Sequence, residues 1–213
     1  MLPRSSSRDE RHLELDKRAG EAASVIRKFA AEKSPILLVT HFDADGISAG
    51  SVILAAVKRL GAPAHLRAID NLSEKVLEEL EDVEADLAIF TDIGSGYLSI
   101  IGKALRHKEI VIADHHQALG EQPPNSHHFN THLLGFDGSV EISGAGTAYL
   151  LAKALDPQNK DLAPMALVGC LGDQQDKGPK RTFTGLNEGI LRDAVEMKLV
   201  EVAQDLILFG RQT

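Results

Sequence analysis

Four places in this chain carry residues able to ligate a divalent metal ion. His41, Asp43 and Asp45 sit in His41-Phe42-Asp43-Ala44-Asp45-Gly46, just past the apolar run Ile36–Thr40. Asp92 follows Leu87–Thr91, and Asp114-His115-His116 follows Glu109–Ala113. Asp173 ends Leu167-Val168-Gly169-Cys170-Leu171-Gly172, an apolar run that reads as helical. Carboxylates crowded together raise one another's pKa values unless cations neutralise them. Oxygen and imidazole donors suit Mn²⁺, Mg²⁺ or Zn²⁺, so metal binding is the economical explanation. In an irregular loop leaving a strand, positions i, i+2 and i+4 can face one site, and Gly46 lets the chain turn before a helix begins.

These residues can meet only if the intervening elements bring them to one edge. Ile36–Thr40 reads as a strand and Ile47–Leu60 as a helix ended by Gly61. The alternation continues with Ala64–Ile69 as strand, Ser73–Leu80 as helix, Leu87–Thr91 as strand, Tyr97–Leu105 as helix and Glu109–Ala113 as strand. Strands and helices alternating at this spacing imply parallel pairing with right-handed crossovers, hence an α/β fold with a parallel sheet flanked by helices. Ligands bind at the carboxyl ends of strands in such sheets, which is where the three strand-end clusters lie. Gln117–Ser143 is rich in Gly, Pro, Asn and His and reads mostly as loop.

Outside this core, Ala19, Ala22, Ala23, Ile26, Phe29 and Ala30 follow helical spacing up to Ser34-Pro35. Gly146–Leu155, Ala163–Leu171, Leu186–Met197 and Val200–Phe209 also read as helices. The expected organisation is therefore a helical extension over 1–34, an α/β core over 35–143 and a mainly helical C-terminal part over 144–213.

An apolar content of 43% beside 25% charged residues permits a buried core and excludes global disorder. Lys and Arg number 23 against 31 Asp and Glu, and the resulting charge of −8 argues against nonspecific adhesion to polyanions. A phosphate-bearing substrate then needs local cations, and Lys177, Lys180 and Arg181, just after Asp173, are the candidates, with an ordinary solvated loop as the plain alternative. Gly144-Ala145-Gly146-Thr147 opens a helix and could offer N–H groups to a phosphate, or serve close packing instead. Cys170 is the only cysteine, which excludes an intramolecular disulfide; its apolar neighbours make it a core thiol. His127, His128 and His132 match no closed metal site, and surface histidines are the default reading. No apolar run reaches the roughly 20 residues of a membrane span, so the expected setting is cytoplasmic, with no membrane partner.

At His41-Phe42-Asp43-Ala44-Asp45-Gly46, Thr91-Asp92, Asp114-His115-His116 and Gly172-Asp173 the sequence resembles the DHH phosphoesterase superfamily. Gly144-Ala145-Gly146-Thr147-Ala148-Tyr149, Gly185-Leu186-Asn187 and Leu208-Phe209-Gly210-Arg211 extend the likeness toward archaeal RecJ-like single-strand exonucleases, over roughly Ile36 to Thr213. The related pyrophosphatases place three residues between the histidine and first aspartate, whereas only Phe42 separates His41 from Asp43, which favours the nuclease branch. The resemblance implies a Rossmann-like DHH catalytic domain and two divalent ions, Mn²⁺ preferred or Mg²⁺. One ion would be held by His41, Asp43 and Asp92 and the other by Asp45, Asp92, His115 and Asp173, with Asp92 bridging. Asp114, bonded to a ligating imidazole, and His116, on the scissile phosphate, would complete the catalytic groups.

The implied activity is 5′ to 3′ hydrolysis of single-stranded nucleic acid, DNA ahead of RNA. Two rivals are an oligonucleotide or cyclic-dinucleotide phosphodiesterase or phosphatase, and a noncatalytic replisome component binding the GINS complex. Family members carry a second, substrate-gripping domain with a glycine-rich motif ending in histidine; no such motif occurs in this sequence, so a piece of a longer protein is expected.

Overall fold

Ile36-Leu37-Leu38-Val39 and Leu87-Ala88-Ile89-Phe90 are apolar at every residue, the pattern of strands buried on both faces. In the computed structural model, which describes residues 8–203, they are adjacent central strands. The order of elements is α1 (Arg8–Ala31), β1 (Ile36–His41), α2 (Ala44–Arg59), β2 (Ala64–Ile69), α3 (Glu74–Glu81) and β3 (Leu87–Thr91). There follow α4 (Leu98–Ala104), β4 (Glu109–Asp114), β5 (Ser126–Asn130), α5 (Gly144–Leu155), α6 (Ala163–Gly172) and α7 (Gly185–Glu196).

All strand pairs are parallel, in the order β2-β1-β3-β4-β5. Side chains alternate across this sheet. Ile36, Leu38, Leu87, Ile89, Val111 and Ala113 join a core with α1, α2, α5, α6 and α7. Leu37, Val39, Ala88, Phe90, Ile110 and Ile112 face the other way, onto α3 and α4. Helix α1 contributes Leu15, Ala19, Ala22, Ala23, Ile26 and Ala30 to the first of these cores. The chain leaves β1 toward β2 and then crosses back to β3, so the switch point opens a crevice between the carboxyl ends of β1 and β3.

Capping sets several helix starts. Asp43 accepts the Gly46 N–H at 2.9 Å, so α2 begins at Ala44, three residues ahead of the expected Ile47, and the segment read as a loop is already helix at Asp45. Ser143 likewise caps α5 and moves its start from Gly146 to Gly144. Gln117–Ser143 is mostly loop, as expected, but it also holds Ser126–Asn130 as β5, paired with β4 from Ile110↔Ser126 to Asp114↔Asn130. Ser-His-His-Phe-Asn carries one large apolar residue, and an edge strand needs no more. The helix expected at Val200–Phe209 is not formed over its first four residues; 204–209 lie outside the described residues, as does Leu208-Phe209-Gly210-Arg211. Among the described residues no helix is long and apolar enough to cross a membrane.

Candidate metal centre

Parallel register delivers the strand-end residues together. Thr40 pairs with Thr91, and Thr91 with Ala113, so His41, Asp92 and Asp114 each stand one residue beyond an aligned row. Asp92 has φ +56°, a left-handed conformation that turns the chain off the end of β3. The residue is 4% exposed, and a Cβ on Gly144 would fall 2.5 Å from the Asp92 Cβ and Cγ.

The six expected ligands line one cleft of about 300 Å³, together with Asp114, His116 and Asp70. His41, Asp43 and Asp92 offer ligand atoms within 4.8 Å of one another, as do Asp45, His115 and Asp173, and as do Asp92, Asp114, His115 and His116. His41 Nδ1 lies 2.9 Å from Asp43 and 4.0 Å from Asp92. His115 Nε2 lies 3.1 Å from Asp92 and 3.8 Å from Asp45.

Asp45, in the first turn of α2, accepts the N–H groups of Gly144 at 2.7 Å and Ala145 at 2.9 Å. The start of α5 thus grips a carboxylate of the chain itself; of the two alternatives left open for Gly144-Ala145-Gly146-Thr147, its first N–H groups meet Asp45 and not a phosphate, and its glycines serve close packing. The helix terminus favours negative charge, and the N–H groups there have no partner within the helix. Asp114 is fully buried and accepts from the Ser95 N–H at 2.9 Å, the His115 N–H at 2.8 Å and His116 Nδ1 at 2.8 Å. It therefore braces the His116 ring and not that of His115. The His115 ring is set by its Nδ1–H, which donates to Gly138 O at 2.7 Å with Ile142 O at 3.2 Å, leaving Nε2 toward the carboxylates.

Burial pushes Asp92 up to about 7, with the His115 hydrogen bond opposing and the Asp45 and Asp114 charges assisting. Burial also raises Asp45. For His115 burial opposes the imidazolium, but the Asp92 hydrogen bond and the surrounding carboxylates outweigh it and push the ring up to about 10. Asp114 is held well below the usual range: burial opposes ionisation, and the His116 hydrogen bond, both histidine charges and the Ser95 N–H overcome it. Among the described residues the only side chains that form ion pairs with Asp43, Asp45 and Asp92 are imidazoles. Carboxylates this crowded and dry suit cations, and the imidazole and oxygen donors fit divalent metal.

Of the expected phosphate contacts, Lys177 donates to Ser139 O at 3.1 Å and lines a neighbouring cleft of about 400 Å³ that shares His115, His116 and Asp173 with the first. Lys180 and Arg181 line neither cleft, and Arg181 pairs with Asp176 at 2.7 Å. The spacing of charges could not separate the three. Asp70 also lines the cleft and lies outside the sequence motifs, although it follows β2 as the other acids follow their strands. Gly138, Gln175 and Asn187 carried no local signal for their contacts with the site. Cys170 is a buried core thiol, pushed up to about 12 by burial.

The histidines of β5 do not gather. His127 bonds Glu109 at 2.7 Å, while its neighbour His128 bonds the Ser95 hydroxyl at 2.8 Å, as alternation along a strand requires. Asn130 donates to the same hydroxyl, so Ser95 O–H donates to an unprotonated His128 Nε2. Burial holds His128 down to about 4, with Asp114 opposing and Arg18 assisting. An unfolded histidine titrates near 6.5, so between pH 6.5 and about 4 the unfolded chain binds the extra proton and the folded state loses stability as pH falls. At roughly 1.4 kcal/mol per pKa unit the loss is on the order of 3 kcal/mol. Urea unfolding in EDTA across this range should show His128→Gln with a flatter pH dependence than the parent; parallel curves would discount His128.

A family model described as the DHH family, N-terminal domain, matches residues 35–171. An uncharacterized protein of Methanocaldococcus jannaschii is 33% identical over 179 residues, covering 81% of this chain and 39% of its own length. The single-stranded-DNA-specific exonuclease RecJ of Bacillus subtilis is 26% identical over 165 residues, 72% of this chain and 21% of that protein. The chain thus spans well under half the length of these relatives. Among solved structures, RecJ in complex with Mn²⁺ from Thermus thermophilus matches with TM-score 0.68 at 23% identity, over 84% of this chain and 27% of that one. CDC45 from Entamoeba histolytica matches with TM-score 0.65 at 17% identity, over 92% and 41%. Both structural likenesses are likenesses of fold.

Proposed function

The chain belongs to the DHH family, whose members are metal-dependent phosphoesterases, and on that premise we propose that it is a cytoplasmic phosphodiesterase that shortens single-stranded nucleic acid. DNA ranks ahead of RNA, and the 5′ to 3′ direction follows the RecJ likeness alone. The observation that carries the reading is the convergence of His41, Asp43 and Asp92 beside Asp45, His115 and Asp173, two donor sets on one cleft. The first set would hold one ion and the second, with Asp92 shared, the other, Mn²⁺ preferred or Mg²⁺. Such a pair lowers the pKa of a water and stabilises charge on the attacking and leaving oxygens of a displacement at phosphorus.

The chain's own groups orient the ester. His116, its Nδ1–H held by Asp114 and its side chain 56% exposed, can present Nε2 to a phosphate oxygen. Lys177, in the adjoining cleft, can meet the next phosphate of a strand. No side-chain nucleophile is needed, and the Cys170 thiol is buried away from such a role.

The deciding assay incubates the chain with end-labelled DNA and RNA of several lengths in Mn²⁺, Mg²⁺ or EDTA. Metal-dependent ladders of shortened strands are expected; cleavage of dinucleotides alone would move the assignment to an oligonucleotide or cyclic-dinucleotide phosphodiesterase. No turnover of any ester, with GINS copurifying, would favour a binding role in a replisome, which the CDC45 fold likeness allows. Lys177→Ala should raise KM for oligonucleotides about tenfold, as loss of a charge-assisted contact of about 1.5 kcal/mol predicts, with kcat within about twofold. An unchanged KM would remove Lys177 from the substrate path.

A further inference from the structure

Gln175 and Asn187 are polar side chains with no exposed surface, and neither belongs to the donor sets. Burying an amide without partners costs about 1–3 kcal/mol, so what these two hold bears on why they are there. Asn187 Nδ2 donates to Gln175 Oε1 at 2.6 Å. Gln175 Nε2 in turn lies 2.6 Å from Asp173 Oδ2, 2.8 Å from Gly138 O and 3.1 Å from Ile142 O. Those two carbonyls are the ones that receive the His115 Nδ1–H. One amide is therefore bonded to one member of the Asp45, His115 and Asp173 set and shares backbone acceptors with another.

The loop carrying these carbonyls is itself clasped by the start of α7. The Asn187 N–H donates to Glu141 O at 3.0 Å and Thr184 Oγ1 to Val140 O at 3.2 Å. Gly185, at φ +61°, lies so close that a Cβ would sit 2.5 Å from the Glu141 Cβ. On the other side of Asn187, Cys170 Sγ lies 3.2 Å from its Oδ1, which fixes which end of the amide faces Gln175. The motif Gly185-Leu186-Asn187 thus acts on the centre through Gln175 and the 138–142 loop.

We propose that Gln175, oriented by Asn187, is a positioning residue for the metal position formed by Asp45, His115 and Asp173, leaving the His41, Asp43 and Asp92 position untouched. The inference rests on the reading that the cleft holds two divalent ions. Its distinguishing mark is asymmetry, because Gln175 bonds no member of the His41, Asp43 and Asp92 set.

The test counts Mn²⁺ bound to the 213-residue chain through loss of the free-ion electron paramagnetic resonance signal, with melting temperatures recorded in EDTA and in Mn²⁺. The parent should bind two ions. Gln175→Met, which keeps the length of the side chain without its polar atoms, should weaken one ion by roughly 10- to 100-fold and leave the other within about twofold, as loss of a group orienting metal ligands does. Asn187→Ala, which leaves Gln175 in place, should weaken the same ion by several-fold and serves if Gln175→Met fails to fold. The Mn²⁺-induced rise in melting temperature should shrink in both variants. Equal weakening of both ions, or a lower melting temperature in EDTA with an unchanged Mn²⁺-induced rise, would mark a structural role and overturn the proposal. A parent chain that binds no Mn²⁺ would overturn the metal reading beneath it.

Discussion

Asp92→Asn should reduce metal-dependent hydrolysis by about 10³-fold or more while raising the melting temperature of the protein in EDTA. The two effects have one cause. Asp92 is 4% exposed and stands among Asp45 and Asp114, where burial and like charge penalise its ionised form. Its ion-pair partners among the described residues are imidazoles, His115 nearest at 3.1 Å, and they offset only part of that penalty, so the carboxylate is held at a net cost to the fold. An isosteric amide relieves that repulsion and retains much of the packing, which stabilises the metal-free protein. It also removes the carboxylate that the proposed function assigns to both ions. Lewis-acid stabilisation of several kcal/mol corresponds to roughly three decades of rate at 1.36 kcal/mol per decade. Adding Mn²⁺ should reverse the stability order, because ligand binding stabilises the folded state by RT ln(1 + L/Kd), with L the free ion concentration, and so favours the tighter binder. Parent-like rates in Asp92→Asn, or an undiminished Mn²⁺-induced stabilisation, would remove Asp92 from the shared position.

Gly144→Ala should be nearly as damaging to activity, at about 100-fold or more, although residue 144 carries no functional side chain. A methyl group there would enter the space of the Asp92 Cβ and Cγ, and its backbone N–H is one of the two that grip Asp45. The substitution must therefore move Asp92, the start of α5, or both. Misplacement of a reacting group by about 1 Å can reduce rate 10²-fold, and overpacking a buried site typically destabilises by about 1–3 kcal/mol. Gly189→Ala is the matching control. Nothing lies within 4 Å of a Cβ at that helical position, so this variant should be stabilised by about 0.5–1 kcal/mol with unchanged kinetics. Indistinguishable behaviour of the two alanine variants in activity would show that Asp92 tolerates displacement.

How much of this centre was legible in the sequence depended on how local each signal was. The apolar runs Ile36–Thr40, Leu87–Thr91 and Glu109–Ala113 mark strands by themselves, and acids and histidines at their ends fall at a sheet edge wherever the strands are parallel. Asp70 follows the same rule behind Ala64–Ile69 and could have been found by it. Ser126–Asn130 could not, since an edge strand of Ser-His-His-Phe-Asn becomes a strand by pairing with β4. The cations after Asp173 looked alike as charges; only folding turned Arg181 to Asp176 and left Lys177 on the cleft.

The sequence by itself determined the fold class and the chemical types gathered at the sheet edge, because strand periodicity and strand-end chemistry are properties of short segments. The tertiary structure alone decided that Asp45 takes the N–H groups of α5, that Asp114 braces His116 while backbone carbonyls set His115, and that Asn187 reaches Asp173 through Gln175. Each of these contacts joins side chains to hydrogen-bond partners fixed by the folded chain. Such partners have no signature in residue type or spacing, and packing selects them only when every buried polar group must find one.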